Sequence, residues 1–109
     1  MRIVLVIPTY NERDNIQPLT EALQSVFEGM SHDMNILIAD DFSPDGTGDI
    51  VRDMMRRYDN LHLIEGEKAG LVAAYTREIR HAVGDLGADV VMEMDADFSH
   101  DPADVPRLV

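Results

Sequence analysis

Four short apolar runs punctuate the chain and predict four β-strands. They cover residues 3–7, 35–39, 61–64 and 90–94, and each has the length of a buried strand rather than of a helix. None is long enough to cross a membrane. Runs that are apolar at almost every position are typical of parallel sheets with both faces covered.

Segments with helical periodicity separate these runs. Three apolar stripes are consistent with helices, and Asp14 or Asn15 is expected to cap the first, while Asp101 followed by Pro102 starts a fourth. Strict alternation of strand and helix predicts an α/β fold with a mostly parallel sheet, right-handed crossovers and helices on both faces. The stripes are Ile16, Leu19, Leu23, Val26 and Phe27; Ile50, Val51, Met54, Met55 and Tyr58; and Leu71, Ala74, Tyr75, Ile79 and Ala82.

Length and charge narrow the possible functions. The chain has 109 residues, with 21 acidic against 9 basic side chains and a net charge of −12, so nucleic acid would be repelled. It has no cysteine, which excludes disulfides and thiolate metal sites and fits a cytoplasmic location. The sequence stops within the first turns of the predicted fourth helix, so we expect a single domain, residues 1–109, truncated at its C-terminus.

The unusual residues follow the ends of the predicted strands. Ligands of parallel α/β sheets collect at this edge. After the fourth strand, Asp95 and Asp97 form a D-x-D pair, whose hard oxygen ligands suit Mg²⁺ or Mn²⁺ bound together with a nucleotide diphosphate. The other three loops contain residues 8–12, residues 40–47 and residues 65–71.

These segments resemble the family 2 glycosyltransferases of the GT-A fold. The matching motifs are I-P-T-Y-N-E at residues 7–12, D-D-x-S-P-D-G-T at 40–47, K-A-G-L at 68–71 and M-D-A-D-x-S-H at 94–100. Within that family the S-P-D-G-T and D-A-D-x-S-H motifs are most similar to those of the dolichyl- or polyprenyl-phosphate mannose synthases. The resemblance spans the whole chain, which would be the N-terminal, nucleotide-sugar-binding part of the catalytic domain.

The resemblance implies a role for each matching residue. The nucleotide site would be formed by Pro8, Tyr10, Glu12, Asp41, Lys68, Asp95, Ala96 and Asp97, with Tyr10 against the base. Asp95 and Asp97 would be the catalytic and metal-binding carboxylates. Ser99 stands where some members have a Gln metal ligand, so its coordination is weaker. Phe42, Val72 and Glu93 also differ from the family's pattern. Glu93 is expected either to contact the metal ligands without binding the metal itself or to lie at an exposed end of the sheet.

The implied reaction is an inverting transfer of a hexose, most simply mannose from GDP-mannose, to polyprenyl or dolichyl phosphate. A lipid phosphate is already charged near neutral pH, because its second pKa is about 6, so no general base is required. The lipid acceptor implies contact with the cytoplasmic face of a membrane. Two alternatives remain open at this point: transfer from a UDP-sugar to another acceptor, and nucleotide binding without transfer.

Three other classes of α/β protein fit the motifs less well. A dinucleotide-binding dehydrogenase needs G-x-G-x-x-G after the first strand, where this chain has P-T-Y-N-E. A phosphoacceptor receiver domain has its acidic pair after the first strand, whereas here the pair follows the second. A sugar nucleotidyltransferase needs a Gly-rich basic segment after the first strand, and this chain has none there.

Overall fold

The computed structural model describes residues 1–41, 43–66, 80–94, 96 and 101–108. Its strands are β1 (Arg2–Thr9), β2 (Asp33–Asp40), β3 (Leu61–Glu65) and β4 (Val90–Glu93). Its α-helices are α1 (Arg13–Phe27), α2 (Thr47–Met54) and α3 (Val105–Leu108). His81–Asp85 forms a π-helical turn, and a 3₁₀ turn at Pro102–Asp104 leads into α3.

The strands form one parallel sheet in the order β3-β2-β1-β4. β1 pairs with β2 along its whole length, from Arg2 opposite Asp33 to Thr9 opposite Asp40. It pairs with β4 only from Ile3 to Val6, so the last residues of β1 extend beyond the end of β4. The α/β class and the parallel sheet predicted from the sequence are therefore confirmed.

The main core lies on the face of the sheet that α1, α2 and α3 cover. Alternate strand residues point into it because successive side chains of a strand face opposite sides. It contains Ile3, Leu5, Ile7, Met34, Ile36 and Ile38 from the strands, with Ile16, Leu19, Leu23, Val51, Met54 and Val105 from the helices. Burying side chains of this kind stabilises the fold by about 1.5–3 kcal/mol each before the entropy cost is counted.

The opposite face has a smaller cluster formed by Val4, Val6 and Leu37. These side chains contact β4 and the residues that precede it. The third predicted helical stripe runs from Leu71 to Ala82; its residues up to Ile79 lie outside the described residues, and Ala82 lies in the π-helical turn. Glu93, at the end of β4, is exposed to solvent. That position fits the sheet-end interpretation of Glu93.

The start of α1 differs from the sequence prediction. The helix begins at Arg13, so Glu12 occupies the cap position and Asp14 lies inside the first turn, which makes the predicted cap at Asp14 or Asn15 wrong. Pro18 is then the sixth residue of the helix and not part of its first turn. It removes one intrahelical hydrogen bond, to the carbonyl of Asp14.

The start of the fourth helical segment agrees with the prediction. Oδ1 of Asp101 accepts a hydrogen bond from the amide of Ala103 at 3.0 Å, with Pro102 at the first position of the turn. Among the helices in the described part of the chain, none combines the length and apolarity needed to cross a bilayer.

Candidate nucleotide-sugar site

The strand order places the candidate site where the sheet changes its winding direction. From β1 the chain proceeds to β2 and β3 on one side, and it returns to β4 on the other side. The loops that follow β1 and β4 therefore diverge from neighbouring strand ends, and ligands of α/β sheets bind in this kind of crevice. The amide of Met94 donates to the carbonyl of Val6 at 3.0 Å, which fixes the start of the D-x-D loop beside β1.

Three of the predicted nucleotide-binding residues lie at the end of β1 and in the first loop, which follows it. Pro8 is partly buried near the end of β1, Tyr10 is 52% exposed, and Glu12 is partly buried at the cap of α1. Asn11 between them has a φ of 54°, a left-handed conformation that is uncommon for residues other than glycine. The carbonyl of Glu12 accepts from the amide of Ile16 at 2.9 Å and so begins the helix.

Three successive backbone amides of this first loop are bound by side chains of the second loop. The amide of Asn11 donates to Oγ of Ser43 at 2.9 Å, and that of Glu12 to Oγ1 of Thr47 at 3.2 Å. The amide of Arg13 donates to Oδ2 of Asp45 at 3.1 Å. Amides at a helix start have no intrahelical acceptors. The S-P-D-G-T loop, residues 43–47, therefore caps α1 from outside the helix.

A buried carboxylate connects the ends of β1 and β2. Asp40 is 1% exposed and accepts from Oγ1 of Thr9 at 2.7 Å. It also accepts from the amide of Ser43 at 2.9 Å and from its Oγ at 2.5 Å. Asp40 therefore serves as a hydrogen-bond acceptor inside the protein. Asp41, the predicted nucleotide-binding residue, is less buried, and its amide donates to the carbonyl of Thr9 at 3.1 Å.

The acid of the S-P-D-G-T loop is held in its ionised form. Desolvation opposes the charge of Asp45, but hydrogen bonds from the hydroxyl and amide of Thr47 and from the amide of Arg13 outweigh it, so the pKa of Asp45 lies below its ordinary value. The negative charge also lies at the N-terminal end of α1, where the helix dipole favours it.

An ion pair holds the end of β3 against α2. Arg52 contacts Glu65 and also bonds to Oδ1 of Asp49 at 2.8 Å. A Cβ on Gly48 would lie 2.9 Å from Oε2 of Glu65, so a glycine allows the carboxylate to approach the helix. The amide of Gly66 donates to the carbonyl of Asp40 at 3.1 Å. Lys68, the predicted basic residue of this loop, lies outside the described residues.

The D-x-D loop is described only in part. Ala96 is 3% exposed and Met94 4%, so this segment begins buried against the main core. Asp95, Asp97 and Ser99 lie outside the described residues, and their positions stay predictions. Within the described ranges, no three acidic or histidine side chains are grouped to hold a metal ion. The oxygen donors of these three residues fit Mg²⁺ or Mn²⁺ by their chemistry.

Sequence reasoning missed the residues that connect the loops. Thr9, Asp40, Ser43, Asp45 and Thr47 were not assigned individual roles, although their side chains fix the geometry of the site. One signal was available, because Asp, Ser and Thr at a strand end commonly bond to nearby backbone amides. Pairing with amides more than 30 residues earlier in the chain has no signature in sequence spacing.

Known proteins are similar to this chain over its whole length. The glycosyl transferase family 2 model matches residues 4–109. The undecaprenyl-phosphate mannosyltransferase of Micrococcus luteus is 39% identical over 110 residues, covering 100% of this chain and 43% of that protein. The dolichol-phosphate mannosyltransferase of Pyrococcus furiosus is 32% identical over 109 residues, covering 100% of this chain and 29% of that protein.

A solved structure is also similar. Mannosyltransferase PcManGT from Pyrobaculum calidifontis, in complex with GDP-Man and Mn²⁺, superposes with a TM-score of 0.72 at 28% identity, over 88% of this chain and 27% of that one. The chain thus spans less than half the length of each of these three proteins. Since the family model matches nearly every residue, the chain belongs to glycosyl transferase family 2.

Proposed function

We propose that this chain binds the donor in an inverting glycosyl transfer to a polyprenyl or dolichyl phosphate, with mannose from GDP-mannose as the transferred sugar. The two mannosyltransferases that it resembles are named for undecaprenyl phosphate and dolichol phosphate. The similar solved structure contains GDP-Man. These names support the class of acceptor and the choice of donor.

The observation that carries the proposal is the junction of β1 with β4. It brings the loop with Pro8, Tyr10 and Glu12 beside the start of the D-x-D loop, at the winding change of the sheet. A nucleotide can then contact the first loop with its base while its diphosphate lies toward the D-x-D loop. The exposed ring of Tyr10 is suited to packing against a base.

Each predicted site residue has a task in this proposal. Pro8, Tyr10, Glu12 and Asp41 orient the nucleoside, and Lys68 supplies positive charge close to it. Ala96 leaves room for the nucleotide to pack. Asp95, Asp97 and Ser99 would hold Mg²⁺ or Mn²⁺, which when bound neutralises the charge that develops on the leaving diphosphate.

The transfer is a single displacement at the anomeric carbon. A phosphate oxygen of the acceptor forms the new bond, and the electrons of the breaking bond pass to the β-phosphate oxygen of the leaving nucleotide. The attacking oxygen is already charged because the second pKa of a phosphate monoester is about 6. The residues of this chain therefore need to bind and align the reactants, and they need not remove a proton.

The chain is strongly acidic, and this affects where the donor can bind. With a net charge of −12, the surface repels a nucleotide diphosphate at a distance. Lys68 and the divalent cation would offset this repulsion at the site itself. We therefore expect the affinity for a nucleotide diphosphate to depend strongly on the divalent cation.

Transfer of labelled mannose tests the proposed activity. The chain would be incubated with GDP-mannose and Mn²⁺, with undecaprenyl phosphate in detergent, and label in the lipid extract would be counted. We expect transfer that is lost in Asp97→Ala and retained in Asp59→Ala, which removes an exposed carboxyl after α2. Transfer from UDP-glucose instead of GDP-mannose would contradict the mannose assignment, and donor binding without transfer would limit the function to binding.

A further inference from the structure

We propose that Ser43, Asp45 and Thr47 are positioning residues of the donor site, which hold the turn that presents Tyr10 and Glu12. This inference rests on the proposed function, because the turn matters only if it binds the nucleotide. The S-P-D-G-T loop would then act through the first loop rather than by contact with the donor.

The orientation of each hydroxyl supports this role. Oγ1 of Thr47 donates its proton to Oδ1 of Asp45 at 2.5 Å, and Oγ of Ser43 donates to Oδ1 of Asp40 at the same distance. A hydroxyl has a single proton, so each oxygen has only lone pairs left for its other partner. These lone pairs accept the amides of Glu12 and Asn11. The two carboxylates thereby fix the direction in which the hydroxyls hold the turn.

The turn with Tyr10 and Glu12 depends on the acceptors of the S-P-D-G-T loop, because its own side chains do not bind these backbone amides. Asn11 has a left-handed φ of 54°, a conformation that asparagine adopts at a smaller cost than other residues with a side chain. The side chain of Glu12 accepts a hydrogen bond from Nδ2 of Asn15 at 3.2 Å, but it binds none of the backbone amides at the start of α1. Loss of an acceptor from the S-P-D-G-T loop would therefore release the turn.

Tyr10 is anchored on both sides through the same buried group. Thr9 before it donates to Asp40, and Asn11 after it donates to Ser43, which itself donates to Asp40. The backbone of Tyr10 is thus fixed, while the residue as a whole is 52% exposed. A fixed backbone with an accessible ring reduces the entropy lost when a base packs against it.

The same contacts also occupy the backbone amides at the start of α1. The amides of Glu12 and Arg13 already have acceptors in Thr47 and Asp45, so they are not open to the phosphates of a donor. The ionised carboxylate of Asp45 beside them would repel a phosphate. The S-P-D-G-T loop therefore directs the diphosphate away from α1.

A pair of threonine variants tests the inference. Thr47→Val removes the hydroxyl and keeps the shape, whereas Thr47→Ser keeps the hydroxyl. We expect Thr47→Val to weaken GDP binding with Mn²⁺ by about tenfold, since one hydrogen bond is lost, and Thr47→Ser to restore it. Thr20→Val is the matched control, because it makes the same chemical change within α1, and GDP affinity should not change.

Hydrogen exchange separates positioning from a purely structural role. We expect the amide of Glu12 to exchange at least about tenfold faster in Thr47→Val. Unchanged GDP affinity in a folded Thr47→Val protein, or equal losses in Thr47→Val and Thr47→Ser, would overturn the positioning role. If Thr47→Val does not fold, Ser43→Ala replaces it, with the amide of Asn11 as the reporter.

Failure of the proposed function gives a different result. If the unaltered chain binds neither GDP nor UDP with Mn²⁺, the donor site itself is wrong, and the positioning role falls with it. If the unaltered chain binds GDP and Thr47→Val binds it equally well, only the positioning role is wrong.

Discussion

At the scale of single residues, the hydroxyls of two buried threonines differ in their partners. Thr9 donates to Asp40, while Oγ1 of Thr20, 0% exposed in α1, has no hydrogen-bond partner among the residues that the structure describes. An unpaired buried hydroxyl costs free energy, whereas a paired one does not. Thr20 therefore offers a site for stabilisation.

We predict that Thr20→Val raises the free energy of unfolding by about 1 kcal/mol, because it replaces an unpaired hydroxyl with a methyl group of similar size. Thr9→Val should lower it by about 1–2 kcal/mol, because it removes a donor to the buried Asp40. Urea denaturation of both variants measures the difference. Destabilisation by Thr20→Val equal to that by Thr9→Val would contradict the prediction.

The ion pair at the amino end of β1 gives a pH dependence. Nε of Arg2 lies 2.8 Å from Oδ2 of Asp33, and this hydrogen bond holds the pKa of Asp33 below its ordinary value of 3.8. A carboxyl whose pKa is lower in the folded state stabilises the fold above the unfolded pKa. That stabilisation is lost as the pH falls through the folded pKa.

We therefore predict that Asp33→Asn lowers the Tm at neutral pH, and that its difference from the unaltered chain shrinks as the pH falls below the ordinary carboxyl pKa of 3.8. The effect will be small because both side chains are about half exposed. Thermal unfolding by circular dichroism across this pH range measures it, with the exposed Asp59→Asn as control. A difference that stays constant down to acid pH would exclude the ion pair as its cause.

At the scale of elements, the start of α2 depends on one backbone conformation. Gly46 precedes the helix with a φ of 92°, and nothing lies within 4 Å of the position that a Cβ would take. The cost of a side chain here is therefore conformational and not steric. Left-handed backbone costs roughly 1–2 kcal/mol for an ordinary residue and less for asparagine.

We predict that Gly46→Ala lowers the free energy of unfolding by about 1 kcal/mol, and that Gly46→Asn lowers it by less. Urea denaturation of the two variants makes the comparison. If alanine were tolerated better than asparagine, the left-handed start of α2 would be wrong.

The strands were predicted well from the sequence, whereas the start of the first helix was not. The apolar runs located all four strands to within a few residues; β1 and β2 are buried along most of their length, which favours apolar side chains, whereas β3 and β4 are only partly buried. The start of α1 was misplaced because its amides are capped by Thr47 and Asp45, far away in sequence. Asp41 was named as a site residue, while the buried role of the adjacent Asp40 emerged only from the pairing of β1 with β2.

At the scale of the whole molecule, charge is strongly unbalanced. The chain has 12 more acidic than basic side chains, so the folded state is under electrostatic self-repulsion. The ion pairs of Arg2 and Arg56 are exposed, so they stabilise the fold only slightly. Screening of these pairs by salt would therefore destabilise the protein very little. With a net charge of −12, we expect repulsion to outweigh the attraction within the ion pairs of the described residues.

We predict that the Tm rises as NaCl increases from about 20 mM to about 500 mM, because the Debye length falls from roughly 20 Å to a few ångströms. Differential scanning calorimetry measures the change, with KCl at equal ionic strength as a control for ion-specific effects. A Tm that falls over this range would show that attractive pairs dominate.

In the proposed function, donor binding depends on the whole sheet, because the candidate residues follow all four strands in the sequence. The relation among β1, β2 and β4 places Tyr10, Asp41 and Ala96 at one edge of the sheet. Asp95 and Asp97 flank Ala96 in the chain, so their side chains also belong to this edge in our proposal. We propose that this edge binds a nucleotide diphosphate together with a divalent cation.

Calorimetric titration of the chain with GDP and with UDP, with and without Mn²⁺, measures this binding. We predict Mn²⁺-dependent binding of GDP that is stronger than binding of UDP, is lost in Asp97→Ala and is retained in Asp59→Ala. Binding of neither nucleotide, or GDP binding that is indifferent to both Mn²⁺ and Asp97→Ala, would contradict it.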